Sequence, residues 1–350
     1  MNNALAAYKQ NRKKSFFCMI LLGALLPTVL IASVSLGAMP ISPEQTARIV
    51  AGKITGFARW YAEIPRSAVA VVWELRLPRL LCGAFAGAGL AAAGAIFQGI
   101  LQNPLADPYT LGVSTGAAFG ASLAILLNLS LGARLPVPLI ALCFAGLTLI
   151  LALIISRRAS GLTSANLIMA GIILSAMLSA GISFMKMLSG EQVAAIVFWL
   201  MGSLSARGWS EVLLLGPAIL LAAPPAIVFA EDLNLLTLGA RNAESLGVSV
   251  KKTRFFFLLL GAAITAVCVS VCGVIGFVGL VVPHLLRFSV TSDNRVLLPL
   301  SMLLGAVLLV SADTCARLLS GGEIPVGALT TLLGGPFFIY IFIRRRGIRE

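Results

Sequence analysis

Apolar runs long enough to cross a bilayer recur along this 350-residue chain and limit its fold more than any other feature. Phe16–Gly37 is about 22 residues, sufficient for a helix to traverse a hydrocarbon core of about 30 Å. Further runs cover about Leu77–Gln98, Leu111–Leu131, Val137–Ile155, Leu167–Met187 and Val212–Phe229. Arg254–Cys272, a short Leu280–Ser292, Val296–Leu318 and Gly327–Ile343 complete the set. Ten such spans need roughly 200 apolar positions, and 59% of the residues are hydrophobic. Only 11% are charged, against about 25% in soluble domains. A soluble enzyme, a disordered chain and a disulfide scaffold are excluded. So is a transmembrane barrel, whose strands alternate polar and apolar residues. The expected fold class is an all-α polytopic membrane protein with about ten transmembrane helices.

An even number of spans places both termini on one side. Lys9, Arg12, Lys13 and Lys14 precede the first run, and Arg157-Arg158, Lys251-Lys252-Arg254 and Arg344-Arg345-Arg346 lie in short segments on that same side. Short basic loops stay in the cytoplasm, so both termini are expected there. The same rule accounts for much of the net charge of +13, which in a soluble protein would suggest nucleic acid. A signal peptide competes for the first run, but its apolar core is usually about 7–15 residues. The stretch 38–76 is then an outer, periplasmic segment. Ser42-Pro43-Glu44-Gln45 predicts a capping box with proline at the first helical position.

Gly83–Gly87 and Gly112–Gly116 are small-xxx-small patterns that let helix backbones approach closely. A weak internal echo links Gly94 and Pro104 to Gly273 and Pro283, in halves that would run in opposite directions. Such inverted repeats with broken helices occur in transporters, although chance similarity in glycine-rich sequence competes. Cys268 and Cys272 share a helix face without a histidine or carboxylate beside them, which suits helix packing better than metal binding. His284 is the only histidine, and no nucleophile–base pair stands out. The carboxylates Glu74, Asp107, Glu231, Asp232, Asp313 and Glu323 sit near span ends. A proton- or sodium-coupled carrier usually places one in mid-span. Leu319–Glu323 looks like the signature loop of an ATPase, but no GxxxxGK[ST] phosphate loop exists. Nucleotide hydrolysis by this chain is not expected.

The segment 231–248 is amphipathic rather than simply polar. Leu235, Leu238 and Asn242 share a helical face, Arg241 and Glu244 are i,i+3 neighbours, and Gly239 and Gly247 divide it. It suits docking to a cytoplasmic partner; a helix lying at the headgroups competes.

With these residues in hand, the chain resembles the iron-chelate and vitamin B12 permease family (FecCD-type) of type II ABC importers, from about Leu75 to Ile343. The motifs are Arg76-Leu77-Pro78-Arg79, Gln98 through Asn103-Pro104-Leu105-Ala106-Asp107-Pro108, Leu111–Gly116 and Trp199–Ser203. Leu238-Gly239 with Leu246-Gly247-Val248, Gly276–His284 and Glu323–Gly327 follow in order. The resemblance implies one permease domain over 1–350, paired with a second permease subunit, identical or not. It also implies two cytoplasmic ABC ATPases and a periplasmic binding protein. ATP and Mg would belong to the ATPases, and this chain would bind no cofactor or metal. Arg76, Arg79 and, less closely, Arg317 match arginines that receive the binding protein, and exposed arginines at a helix start could pair with carboxylates. Leu238, Gly239, Arg241, Glu244, Leu246 and Gly247, within the cytoplasmic segment 231–253, match the ATPase-coupling element. Ala240 departs from an acidic residue frequent there. Asn103, Leu105, Thr163 and Ser164 match the inner gate, where Thr163 and Ser164 could also cap the fifth span.

The expected role is the pathway subunit of an ATP-driven importer of a ferric-siderophore-type chelate in the bacterial inner membrane. Vitamin B12, haem and molybdate are rival cargoes. An ion-coupled secondary transporter and a membrane-embedded enzyme are the rival classes.

Overall fold

The computed structural model describes residues 2–37, 39–159, 161–319 and 324–346. The Leu319–Glu323 pattern falls largely at 320–323, outside the described residues. The described residues are helical wherever they are regular. α1 is Asn2–Ser35, α2 Pro43–Thr55, α3 Arg66–Ile100, α4 Val113–Leu131 and α5 Val137–Ala159. α6 is Ser164–Leu188, α7 Val193–Leu200, α8 Trp209–Val228, α9 Ala230–Leu236 and α10 Ala240–Ser245. α11 is Val250–Cys272, α12 Val278–Ser289, α13 Asn294–Leu319 and α14 Val326–Arg346.

Among the described residues, eight helices are long and apolar enough to cross a membrane: α1, α3, α4, α5, α6, α8, α11 and α13. Of the two remaining expected spans, Gly327–Ile343 lies within the 21 residues of α14 and Leu280–Ser292 falls on α12. α12, with 12 residues, rises only about 18 Å and cannot cross alone. α7 lies outside every expected span, because its eight apolar residues are too few to register as one.

Local chemistry sets several boundaries. Ser42 Oγ accepts from Gln45 N at 3.2 Å while Ser42 N donates to Gln45 Oε1 at 3.3 Å, so the capping box starts α2. Thr163 Oγ1 accepts from Asn166 N at 3.3 Å and caps α6. α3 departs from expectation. It begins at Arg66 rather than Leu77, and Val71–Arg76 is a π-helical stretch within it. Pro78 has no N–H and its ring crowds the carbonyl four residues earlier, and the helix widens just before it instead of starting there.

α3 is the buried axis of the bundle, with α13, α11 and α12 packed along it. Two backbone contacts fix this arrangement. A Cβ on Gly94 would overlap the Gly279 carbonyl of α12, and Cβ atoms on Gly87 and Gly305 would each overlap the other's carbonyl. The two segments of the internal echo therefore meet in space. Cys268 and Cys272 are buried free thiols, and a Cβ on Gly89 would crowd Cys268 Sγ, consistent with a packing role.

Overpacking a filled site costs about 1–3 kcal/mol. Gly94→Ala should lower the thermal midpoint of the purified protein by at least that equivalent. Gly146→Ala on α5 meets nothing within 4 Å and should stay within about 0.5 kcal/mol. Equal midpoints for the two variants would contradict the contact.

Candidate functional site

Two polar junctions mark opposite ends of the bundle. Asn294 opens α13 at one, and Asp313 lies near its far end at the other. Nineteen residues of helix separate them (313 − 294 = 19), a rise of about 28 Å.

The first junction carries the segment expected to couple. Asn234 Nδ2 donates to Asp293 Oδ1 at 2.7 Å, and Asn294 N and Nδ2 donate to Asn234 Oδ1 at 2.8 and 2.7 Å. Burial would push the Asp293 carboxyl up, but hydrogen bonds from Arg295 and Asn234 outweigh it and hold the group below the usual carboxylate range. Leu233, Leu236, Ala243 and Val248 are buried and anchor α9 and α10 to the bundle. Leu233 lies against Gly99 of α3, and Gln102 donates to the Leu236 carbonyl. The outward residues are the expected ones. Leu238 is 56% and Leu246 59% exposed, and Arg241 and Glu244 are exposed as well.

Gly239 and Gly247 adopt φ +95° and +89°, a left-handed range that favours glycine. They break the segment, so Leu235, Leu238 and Asn242 do not share one continuous helix face. Instead Asn242 Nδ2 reaches back to the Leu238 carbonyl at 2.8 Å. No ion pair joins Arg241 to Glu244 among the described residues, which leaves both facing outward.

At the other end the three arginines are not the free side chains expected. Arg76 is only 8% exposed. It donates to the carbonyls of Val34 at 2.8 Å, Ser35 at 3.3 Å and Met39 at 2.7 Å, tying α3 to the end of α1. Arg79 grips Asp313 with Nε and Nη2, at 3.1 and 2.8 Å. Arg317 Nε lies 3.2 Å from Asp313 Oδ2, and its Nη2 donates to the Ser33 carbonyl at 3.0 Å. The Asp313 side chain is 1% exposed, that of Arg79 16% and that of Arg317 15%. Because α3 extends back to Arg66, Arg76 and Arg79 sit about three turns inside it, where neighbours enclose them.

The expected gate residues are held by separate local turns. Asn103 Oδ1 accepts from Leu105 N at 3.0 Å, with Leu105 exposed, while Thr163 and Ser164 open α6. Cavities lie between the helices of the described residues. One of about 360 Å³ is bounded by α4, α6 and α7, and one of about 540 Å³ by α7, α12 and α14. They share Tyr109, Leu200 and Val274. Tyr109 donates its hydroxyl to the Ile275 carbonyl, pinning the loop after α3 to the break before α12.

A model of the FecCD transport family matches residues 21–344. The chain belongs to that family. Among curated proteins, the Fe(3+)-citrate import system permease protein YfmE of Bacillus subtilis is 34% identical, covering 95% of this chain and 96% of that one. The cobalamin import system permease protein BtuC of Halobacterium salinarum is 39% identical over 82% of this chain and 76% of that one. A solved ABC transporter assigned to the metal-chelate type, in an inward-facing conformation, superposes with a TM-score of 0.81 at 33% identity. It covers 93% of this chain and 98% of that chain. The FecCD chain is thus a permease subunit of an ABC importer, a component that is not itself catalytic.

Sequence reasoning missed Asp313 as the hub of this permease's arginine cluster. The i,i+4 spacing of Asp313 and Arg317 could have revealed half of it; the Arg79 contact spans 234 residues and has no local signal. Removing one partner of a buried ion pair costs about 3–5 kcal/mol. Asp313→Ala should therefore destabilise the protein by that order. Arg48→Ala, which breaks an exposed pair with Glu44 at 3.9 Å, should cost under about 1 kcal/mol. Similar losses in thermal unfolding would contradict the buried cluster.

Proposed function

We propose that this FecCD subunit lines the path by which a ferric-siderophore-type iron chelate crosses the bacterial inner membrane. It acts as one of two permease subunits, with two cytoplasmic ATPases at the α9–α10 end and a periplasmic binding protein at the Arg79 end. Both termini lie in the cytoplasm on this reading. ATP and Mg belong to the ATPases, and this chain needs no cofactor of its own.

The observation that carries the proposal is the construction of the α9–α10 end. Leucines are normally withdrawn from water, yet Leu238 and Leu246 stand exposed beside Arg241 and Glu244 on a scaffold anchored by buried Leu233, Leu236 and Ala243. An apolar patch rimmed by charge is the composition of a protein contact. Arg79 and Arg317 would offer their remaining guanidinium edges to acidic residues of the binding protein, while Arg76 braces the helix from below. Asn103, Leu105, Thr163 and Ser164 would form the inner gate.

The iron-citrate relative and the metal-chelate transporter favour an iron chelate. Vitamin B12, haem and molybdate remain the alternatives, and the cobalamin relative supports the first. A secondary carrier is disfavoured because Asp313, the buried carboxylate of α13, is held in ion pairs with two arginines, Arg79 and Arg317.

Leu246→Asp places a charge on the contact patch, and Gly239→Pro demands φ near −65° where the chain has +95°. Each should leave the bundle inserted while abolishing the response of the copurified ATPase to loaded binding protein. An unchanged response in both variants would reject the coupling role.

A further inference from the structure

The smaller of the two cavities that share Tyr109 carries a basic side chain, Lys186. Ser114 and Thr115 of α4 line it, together with Ser179, Ser183 and Lys186 of α6. The three α6 residues follow at spacings of four and three, so they form one polar stripe on an otherwise apolar helix. Thr115 Oγ1 lies 3.4 Å from Ser175 Oγ, one turn further along the same stripe. Lys186 is half-buried. Among the described residues its ammonium has neither an ion pair nor a hydrogen bond.

Its place along the bundle follows from neighbouring contacts. Arg157, near the end of α5, lies over the Phe255 ring at 5.5 Å, next to the start of α11 and so at the α9–α10 end. α6 departs from that end, and Lys186 lies 22 residues beyond Ser164 (186 − 164 = 22), a rise of about 33 Å. Lys186 therefore sits at the Arg79 end of the cavity. Asp107, the carboxylate lining the adjoining cavity, is turned onto its own loop, accepting from Thr110 Oγ1 at 2.8 Å and Tyr109 N at 3.0 Å.

An ionisable group on a membrane helix, facing a polar cavity without a counter-ion, marks a path for the opposite charge. A low-dielectric wall strengthens its field, and serine and threonine hydroxyls can solvate an oxyanion in passing without holding it. We infer that Lys186 makes this cavity an anion-selective vestibule, so that the cargo is a chelate of net negative charge, such as a ferric carboxylate. This deepens the proposed function and rests on it for the identity of the cargo, but not for the selectivity of the cavity. A neutral corrinoid would gain nothing from the ammonium, and a cationic chelate would be repelled.

Selectivity is read in membranes from the chain itself. In a background with Cys18, Cys143 and Cys315 replaced by alanine, Ser179→Cys is labelled with an anionic and a cationic methanethiosulfonate of similar size. The ratio of anionic to cationic rates should fall about fivefold in Lys186→Gln, persist in Lys186→Arg, and fall with added salt in the unaltered Lys186 protein. A ratio that ignores both the substitution and salt overturns the vestibule, and this outcome leaves the permease reading intact because no ATPase or cargo is involved. Cargo is read separately in cells carrying the whole transporter. Uptake of radiolabelled ferric citrate should fall in Lys186→Gln and be kept in Lys186→Arg. Equal uptake in all three proteins, or none in the unaltered one, overturns the anionic cargo.

Discussion

The packing of α12 and α13 on α3 depends on two places where backbone touches backbone. Gly94 meets Gly279, and Gly87 meets Gly305, with no room for a single added carbon. Lipid supplies no hydrophobic force between helices, so association must come from close packing and polar contacts. These glycines bring α12 and α13 onto α3 at van der Waals distance. They thereby fix the break before α12, which Tyr109 then ties to the loop after α3. The cavities lie around that tie, so the glycine contacts also set where a path can exist.

The two ends of the bundle use charge in opposite ways. At one, Arg76, Arg79, Arg317 and Asp313 are drawn into the protein and spent on carbonyls and on each other. A buried cluster of this kind adds little net stability over an apolar core, but it fixes geometry, because leaving any member unpaired is costly. It clamps α1, α3 and α13 together. At the other end Arg241 and Glu244 are left outward, and Leu238 and Leu246 on either side of them are uncovered. One end presents a clamped polar surface and the other an uncovered apolar one.

Much of this could be read from the chain, and what could not has physical reasons. The spans were legible because continuous apolar runs are a strong, local signal. So were the caps at Ser42 and Thr163, which depend on side chains within three residues, and the breaks at Gly239 and Gly247. α7 was illegible because a helix of eight residues is shorter than any span. The burial of Arg76 was illegible because it depends on α3 continuing back to Arg66 through a π-helical stretch, where the apolar run suggested a start at Leu77. Asp313 was seen as a carboxylate near a span end, but its arginine partner comes from another helix. The vestibule escaped for the same reason. Lys186 in the last turn of α6 looks like an ordinary helix end until Ser114 and Thr115 of α4 are placed opposite it.

The central claim is that this chain moves cargo only as part of an ATP-driven assembly. The most direct measurement is uptake by liposomes, first with the chain alone under an imposed proton or sodium gradient, then with its ATPase, loaded binding protein and ATP. The account predicts silence in the first case and, in the second, accumulation directed from the Arg79 end toward the Glu244 end. Gradient-driven uptake by the lone chain would contradict it and make the protein a secondary carrier.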